Sequence, residues 1–120
     1  DKAIFAEGDA GSAFYLVEKG AVRISKMTPL GEEALAILRE GAFFGEMALL
    51  DDTPRSAHAF PHEGGARLIE FRVRELRELM GRDTPLACKM LWALCRTLAA
   101  RLRDTNDRFQ SLFIMTSSFQ

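Results

Sequence analysis

The stretch FGEMALLDDTPRSA, residues 44–57, carries a glutamate and an arginine with eight residues between them. Each suits a different kind of partner. The carboxylate of Glu46 only accepts hydrogen bonds, so it needs a donor, and a sugar hydroxyl is one. The guanidinium of Arg55 offers a planar fork matched to phosphate oxygens. Between them, Gly45 lets the backbone turn tightly, and EMALL is made of strong helix formers that can close one short turn. The start of such a turn presents unpaired N–H groups and a partial positive charge, which suit an anion. Asp51-Asp52-Thr53-Pro54 ends it, and a loop that folds back brings Arg55 to the same place. An acceptor for a hydroxyl beside donors for an anion describes a sugar phosphate. The same spacing also lets Glu46 and Arg55 simply pair with each other, and one short motif leaves both readings open.

The elements that must hold these residues fall into two halves. Residues 1–71 read as strands punctuated by glycines, at the spacing of a many-stranded antiparallel roll, sandwich or barrel. In AFYLVEKGAVRIS, Glu18-Lys19-Gly20 reads as a hairpin turn between two β-rich runs. EALAILRE and ARLIEFRV read as further strands, and PHEGGA as a turn before the last of them. Residues 72–81 predict a short helix. Residues 84–112 predict a long one, capped by Asp83 or Thr84 with Pro85 in its first turn. That helix would run ~40 Å, too long to lie against so small a roll throughout.

The long helix carries an apolar row spaced alternately three and four apart: Cys88, Leu91, Cys95, Leu98, Leu102, Thr105, Phe109 and Leu112. A second edge, Leu86, Met90, Ala93 and Leu94, is suited to packing on the roll. Two apolar faces imply two partners, so the row predicts a homodimer through the long helix, against the alternative of one broad core-facing stripe. Thr105 is the polar residue of the row, and such a residue often sets register. Cys88 and Cys95 fit there as small apolar side chains.

Composition narrows the function. The chain has 120 residues, 48% of them hydrophobic, and a net charge of −1. That supports one domain with a real core and excludes disorder. No global basic field is present to hold nucleic acid; the local basic bias of Arg96, Arg101, Arg103 and Arg108 is partly offset by Asp104 and Asp107 and reads as a solvated helix face. No apolar stretch is long enough to span a bilayer, no secretory signal opens the chain, and two cysteines make no disulfide framework. The expectation is a cytoplasmic protein with no membrane contact. The abrupt strand-like start, DKAIF, reads as a fragment of something longer.

FGEMALLDDTPRSA resembles the phosphate-binding cassette of cyclic nucleotide-binding domains, the family of catabolite-activator-like bacterial regulators, kinase regulatory subunits and nucleotide-gated channels. IFAEGDAGSAFYLVEKGAVRIS is similar to the first hairpin of that family's β-roll, and ARLRDTND to the end of the long dimerisation helix of bacterial members. The resemblance covers nearly the whole chain. It implies an α+β fold: an antiparallel, jelly-roll-like β-roll with its cassette at 43–57, a short helix and a long C-terminal dimerisation helix. It implies that Glu46 holds a ribose 2′-hydroxyl and Arg55 a cyclic phosphate. Backbone N–H groups of Gly45, Met47 and Ala48 and the hydroxyl or N–H of Ser56 would assist. Thr105 and Asn106 match positions that face the base. The hydroxyl and amide of these two residues can serve an adenine edge, and Ser56 stands where cGMP-selective relatives commonly have threonine, so cAMP is expected over cGMP. The DNA-reading domain that follows the long helix in activators is absent from these 120 residues, as is the usual start of the roll. The chain is therefore expected to sense a nucleotide without a cofactor or metal, to touch no nucleic acid itself and to be no enzyme.

Three other readings compete. A cupin-like metal enzyme would have to use His58, His62 and Glu63; on a strand, residues four apart share a face but lie ~13 Å from each other, too far for one metal. No Cys/His pair or Ser/His/Asp set supports nucleophilic catalysis. A redox or haem sensor is disfavoured because Cys88 and Cys95 are separated by ~10 Å of helix rise. An effectorless dimerisation scaffold keeps the fold without the chemistry.

Overall fold

The computed structural model of the chain describes residues 2–117, in two compact units, one up to Leu79 and one from Met80. In the first unit, among the described residues, four strands form an antiparallel sheet organised around β1 (Ala13–Thr28). Beside β1 lie β2 (Gly31–Arg39), β3 (Phe43–Phe44) and β4 (His58–Arg72). β2 pairs with the second half of β1, from Ala21↔Arg39 to Thr28↔Gly31. β3 pairs with the first half, at Tyr15↔Phe44 and Leu16↔Phe43. β4 runs along nearly all of β1, from Ala13↔Arg72 to Ser25↔His58. The β1–β2 turn is tied by Thr28, whose hydroxyl donates to Gly31 O at 2.9 Å and accepts from Leu30 N.

Two turns expected from the sequence are bends inside strands instead. β1 passes straight through Glu18-Lys19-Gly20, and β4 passes through the PHEGGA segment. The pairing jumps from Gly20↔Ala66 to Ala21↔His62, so residues 63–65 have no opposite number on β1. Glu63, Gly64 and Gly65 all have positive φ there. Polar and glycine residues serve a bulge as readily as a turn, and what separates the two is the long-range partner strand. Gly20 is required at the bend: its φ is +82°, and a Cβ there would stand 2.2 Å from the carbonyl oxygen of Gly65.

The core of the roll is Val17, Val22, Phe44 and Ala59, with Ile4, Phe5, Tyr15, Ile24, Leu38, Ala66 and Leu68 packed around it. Tyr15 stacks on Phe44 with ring centroids 5.3 Å apart. Residues 4–9 form a strap along the chain that enters β4. Ile4 N donates to Ala59 O at 2.7 Å, Ala59 N to Phe5 O at 3.0 Å, and Gly8 N to Arg55 O at 2.8 Å.

Helix α1 (Met47–Leu50) follows β3, and α2 (Val73–Arg82) continues directly from β4. In the second unit, α3 (Thr84–Ser117) is 34 residues long, ~50 Å by its rise. It extends five residues beyond the expected 112. Asp83 caps it, its Oδ1 accepting Leu86 N at 3.1 Å. Among the described residues of α3 only Leu94 is buried. Leu102, Phe109 and Leu112 of the apolar row are 61–69% exposed, and Trp92 is 67% exposed. On its polar side Arg108 pairs with Asp104 at 3.2 Å. No helix among the described residues is long and apolar enough to cross a membrane.

Candidate functional site

The cassette is built on a sharp change of direction. Phe44 is buried in the core at the end of β3, and Gly45 then turns the chain at φ +78°. Glu46 stands at the N-cap position of α1 and is 3% exposed. In α1 itself, Ala48 and Leu49 face inward while Met47 and Leu50 are about half exposed. The turn bonds are Ala48 N to Gly45 O (3.2 Å), Leu49 N to Glu46 O (2.9 Å) and Asp51 N to Met47 O (2.9 Å). Asp51 then stops the helix. Its side chain accepts both the N–H and the hydroxyl of Thr53, and these bonds hold its carboxyl below the usual carboxylate range.

Arg55 returns to the other end of this turn and is 8% exposed. Its backbone is fixed by the strap, with Arg55 N donating to Asp9 O at 2.8 Å. Its Nη1 donates to Gly45 O at 3.0 Å and its Nη2 to Ala13 O. Its Nε is buried without a hydrogen-bond partner. The guanidinium carbon lies 4.1 Å from the centre of the Phe5 ring, a cation–π distance. Burial pulls the Arg55 pKa below arginine's ordinary range, and Tyr15, Asp9 and Glu46 oppose that shift by attracting the charge.

The fit around this arginine requires two residues without side chains. A Cβ on Gly45 would stand 2.7 Å from Arg55 Nη1. A Cβ on Gly11 would stand 2.7 Å from the Ala48 Cβ and 3.4 Å from the Arg55 guanidinium carbon. Gly45, Glu46, Met47, Ala48, Arg55 and Ser56 are thus gathered in one loop of the first unit, with Ser56 exposed. Thr105 and Asn106 lie on α3, in the second unit, both exposed.

Sequence reading missed Phe5, Asp9, Gly11 and Ala13, which surround Arg55 from far away in the chain. Gly11 could have been suspected as a close-approach glycine, but nothing local names its neighbour. The histidines have protein partners: His58 Nδ1 accepts Glu7 N at 3.2 Å, and His62 Nδ1 lies 3.3 Å from Arg23 Nη1.

The cyclic nucleotide-binding domain profile matches residues 1–83. Over 107 residues the chain is 45% identical to the cyclic AMP receptor protein of Thermus thermophilus, covering 88% of this chain and 47% of that protein. The crystal structure of Thermus thermophilus catabolite activator protein superposes with a TM-score of 0.72 at 40% identity, over 92% of this chain and 50% of that one. The c-di-GMP responsive global regulator CLP of Xanthomonas campestris superposes with a TM-score of 0.76 at 28% identity, over 88% and 52%. The chain spans about half the length of these relatives. With a buried glutamate and a buried arginine closing one glycine-led turn on an antiparallel roll, and a profile match over more than half its length, the chain belongs to the cyclic nucleotide-binding domain family.

Proposed function

We propose that this chain is the sensing module of a homodimeric cytoplasmic regulator. It binds cAMP in preference to cGMP, it catalyses nothing, and it passes binding to an output domain, transcriptional in kind, through the packing of α3. The observation that carries the reading is Arg55 Nε, a buried donor with no acceptor at the mouth of a turn led by Gly45. A buried unsatisfied donor on a charged group costs ~1–3 kcal/mol or more, and a phosphate oxygen would remove that cost.

In this reading the cyclic phosphate takes Arg55 Nε–H and competes with Gly45 O and Ala13 O for the Nη groups. Amides of Gly45, Met47 and Ala48 and the Ser56 hydroxyl add donors. The Ala48 N–H bond to Gly45 O is long, at 3.2 Å, and can be shared. Glu46 accepts the ribose 2′-hydroxyl, and Thr105 and Asn106 read the base. The exposed row Leu102, Phe109 and Leu112 meets its counterpart on a second copy. Identity with a protein named as a cyclic AMP receptor supports the choice of nucleotide.

The effectorless scaffold has one observation in its favour. Two of the three Arg55 nitrogens already donate to carbonyls of the chain itself.

Calorimetric titration with cAMP, cGMP and c-di-GMP decides; the dinucleotide is included because one similar regulator responds to it. Saturable cAMP binding, tighter than cGMP and weakened by 2′-deoxy substitution through the stranded Glu46 acceptor, supports the proposal. Tighter cGMP binding refutes the preference. Equal binding of the 2′-deoxy form removes Glu46 from the ribose, an unaffected Thr105→Ala variant removes that residue from the base, and no binding of any of the three favours the scaffold.

A further inference from the structure

Helix α1 has four residues, a single turn, and a lone turn in water is unfavourable because it fixes several residues for one or two bonds. Its first carbonyls are served from within, by Ala48 N, Leu49 N and Asp51 N. The next two, Ala48 O and Leu49 O, would in a longer helix be served by the N–H groups of Asp52 and Thr53. The N–H of Thr53 is instead bonded to Asp51 Oδ1 at 3.0 Å, and Pro54, the next in line, has none to give.

Arg77, on α2 in the same compact unit, takes over. Its Nη2 donates to Leu49 O at 2.9 Å and to Ala48 O at 3.3 Å, and its Nε donates to Leu49 O at 3.2 Å. A guanidinium at the carboxyl end of a helix also opposes the negative end of the dipole. The approach of Asp52 Oδ1, at 4.0 Å and with that side chain 97% exposed, adds little by comparison. One side chain of α2 therefore holds the far end of the turn whose near end carries Gly45 and Glu46.

We propose that Arg77 is a positioning residue for the nucleotide site. It clamps the carboxyl end of α1 and so sets the direction in which the amides at the other end point. It touches no ligand. The role rests on the functional reading above.

The test uses two readouts on wild type, Arg77→Ala, Arg77→Lys and Asp52→Asn. The first is amide hydrogen exchange of the ligand-free proteins. Arg77→Ala is expected to speed exchange of Leu49 and Asp51 about tenfold, the loss of about one net hydrogen bond, and to leave Val22 in β1 unchanged. Arg77→Lys restores part of the protection because it keeps the charge but not the fork, and Asp52→Asn matches wild type. Unchanged exchange at Leu49 and Asp51 overturns the clamp whether or not any nucleotide binds. The second readout is cAMP affinity, expected to fall about tenfold in Arg77→Ala with the lysine variant between. A loosened α1 with undiminished affinity overturns the positioning role. A wild type that binds no cyclic nucleotide sinks the functional reading and the second readout together, and the first still decides the clamp.

Discussion

Arg55 and Phe109 each sit on the side of the water boundary opposite to their type. The arginine is charged and 8% exposed; the phenylalanine is aromatic and 69% exposed. In the roll, the buried charge is compensated: two backbone carbonyls, an aromatic face and nearby acidic groups surround it. On α3 the apolar row has no such compensation among the described residues of this chain, and its cost grows with every exposed apolar side chain. The difference teaches where each region's specificity comes from. The cassette is satisfied by residues of its own unit except at Arg55 Nε, which suits an acceptor that matches a guanidinium. The helix leaves an apolar surface of regular spacing, which in the proposed dimer a second copy would cover.

The comparison can be broken most strongly from the roll side. Gly20→Ala puts a Cβ against the Gly65 carbonyl in a backbone conformation that alanine resists. Its expected cost is about 3 kcal/mol or more, read as a shift of the chemical denaturation midpoint. A loss under 1 kcal/mol would mean that the β1–β4 bend is soft and that the roll is not the rigid frame the cassette needs.

Arg55→Ala comes next. It removes the fork and strands Gly45 O and Ala13 O, so both properties fall: cAMP affinity by about 1.5–3 kcal/mol, tenfold or more, and fold stability by about 1–3 kcal/mol. An arginine that faced only a phosphate would carry no fold penalty. The burial of its side chain adds one. Stability without change, measured by thermal melting in the absence of nucleotide, would show that the carbonyl bonds hold nothing in place.

The smallest effect on the fold belongs to the helix. Leu102→Asp changes a side chain that is 61% exposed in the single chain, so the denaturation midpoint of the monomer moves by no more than about 0.5 kcal/mol. In a dimer the same aspartate would be buried without a partner. Sedimentation is expected to give dimers for wild type at micromolar concentration and monomers for the variant. A wild type that sediments as a monomer would remove the contrast between the two regions.

What could be read without coordinates follows from distance along the chain. The cassette was legible because its parts are local: Gly45 turns, EMALL coils and Pro54 ends the coil within a dozen residues. The capped start of α3 was legible for the same reason, since Asp83 and Leu86 are three apart. The bends at Gly20 and at residues 63–65 were misread as turns, because their cause is the opposite strand. The setting of Arg55 was not legible at all. Phe5, Asp9, Gly11 and Ala13 meet it only after the sheet has formed, and no periodicity announces that meeting.

The strap has a consequence in time. Glu7 and His58 are 51 positions apart, and Ala13 and Arg55 are 42 apart. Bringing such ends together costs ~3–4 kcal/mol of chain entropy before any contact repays it, whereas α3 needs only neighbours. Helix should therefore form early in refolding and the seat of Arg55 late. In a stopped-flow experiment from denaturant, the far-ultraviolet dichroism of the helices is expected to recover first. Capture of a fluorescent cyclic nucleotide should lag behind it, by the interval that residues 4–9 need to find the chain entering β4.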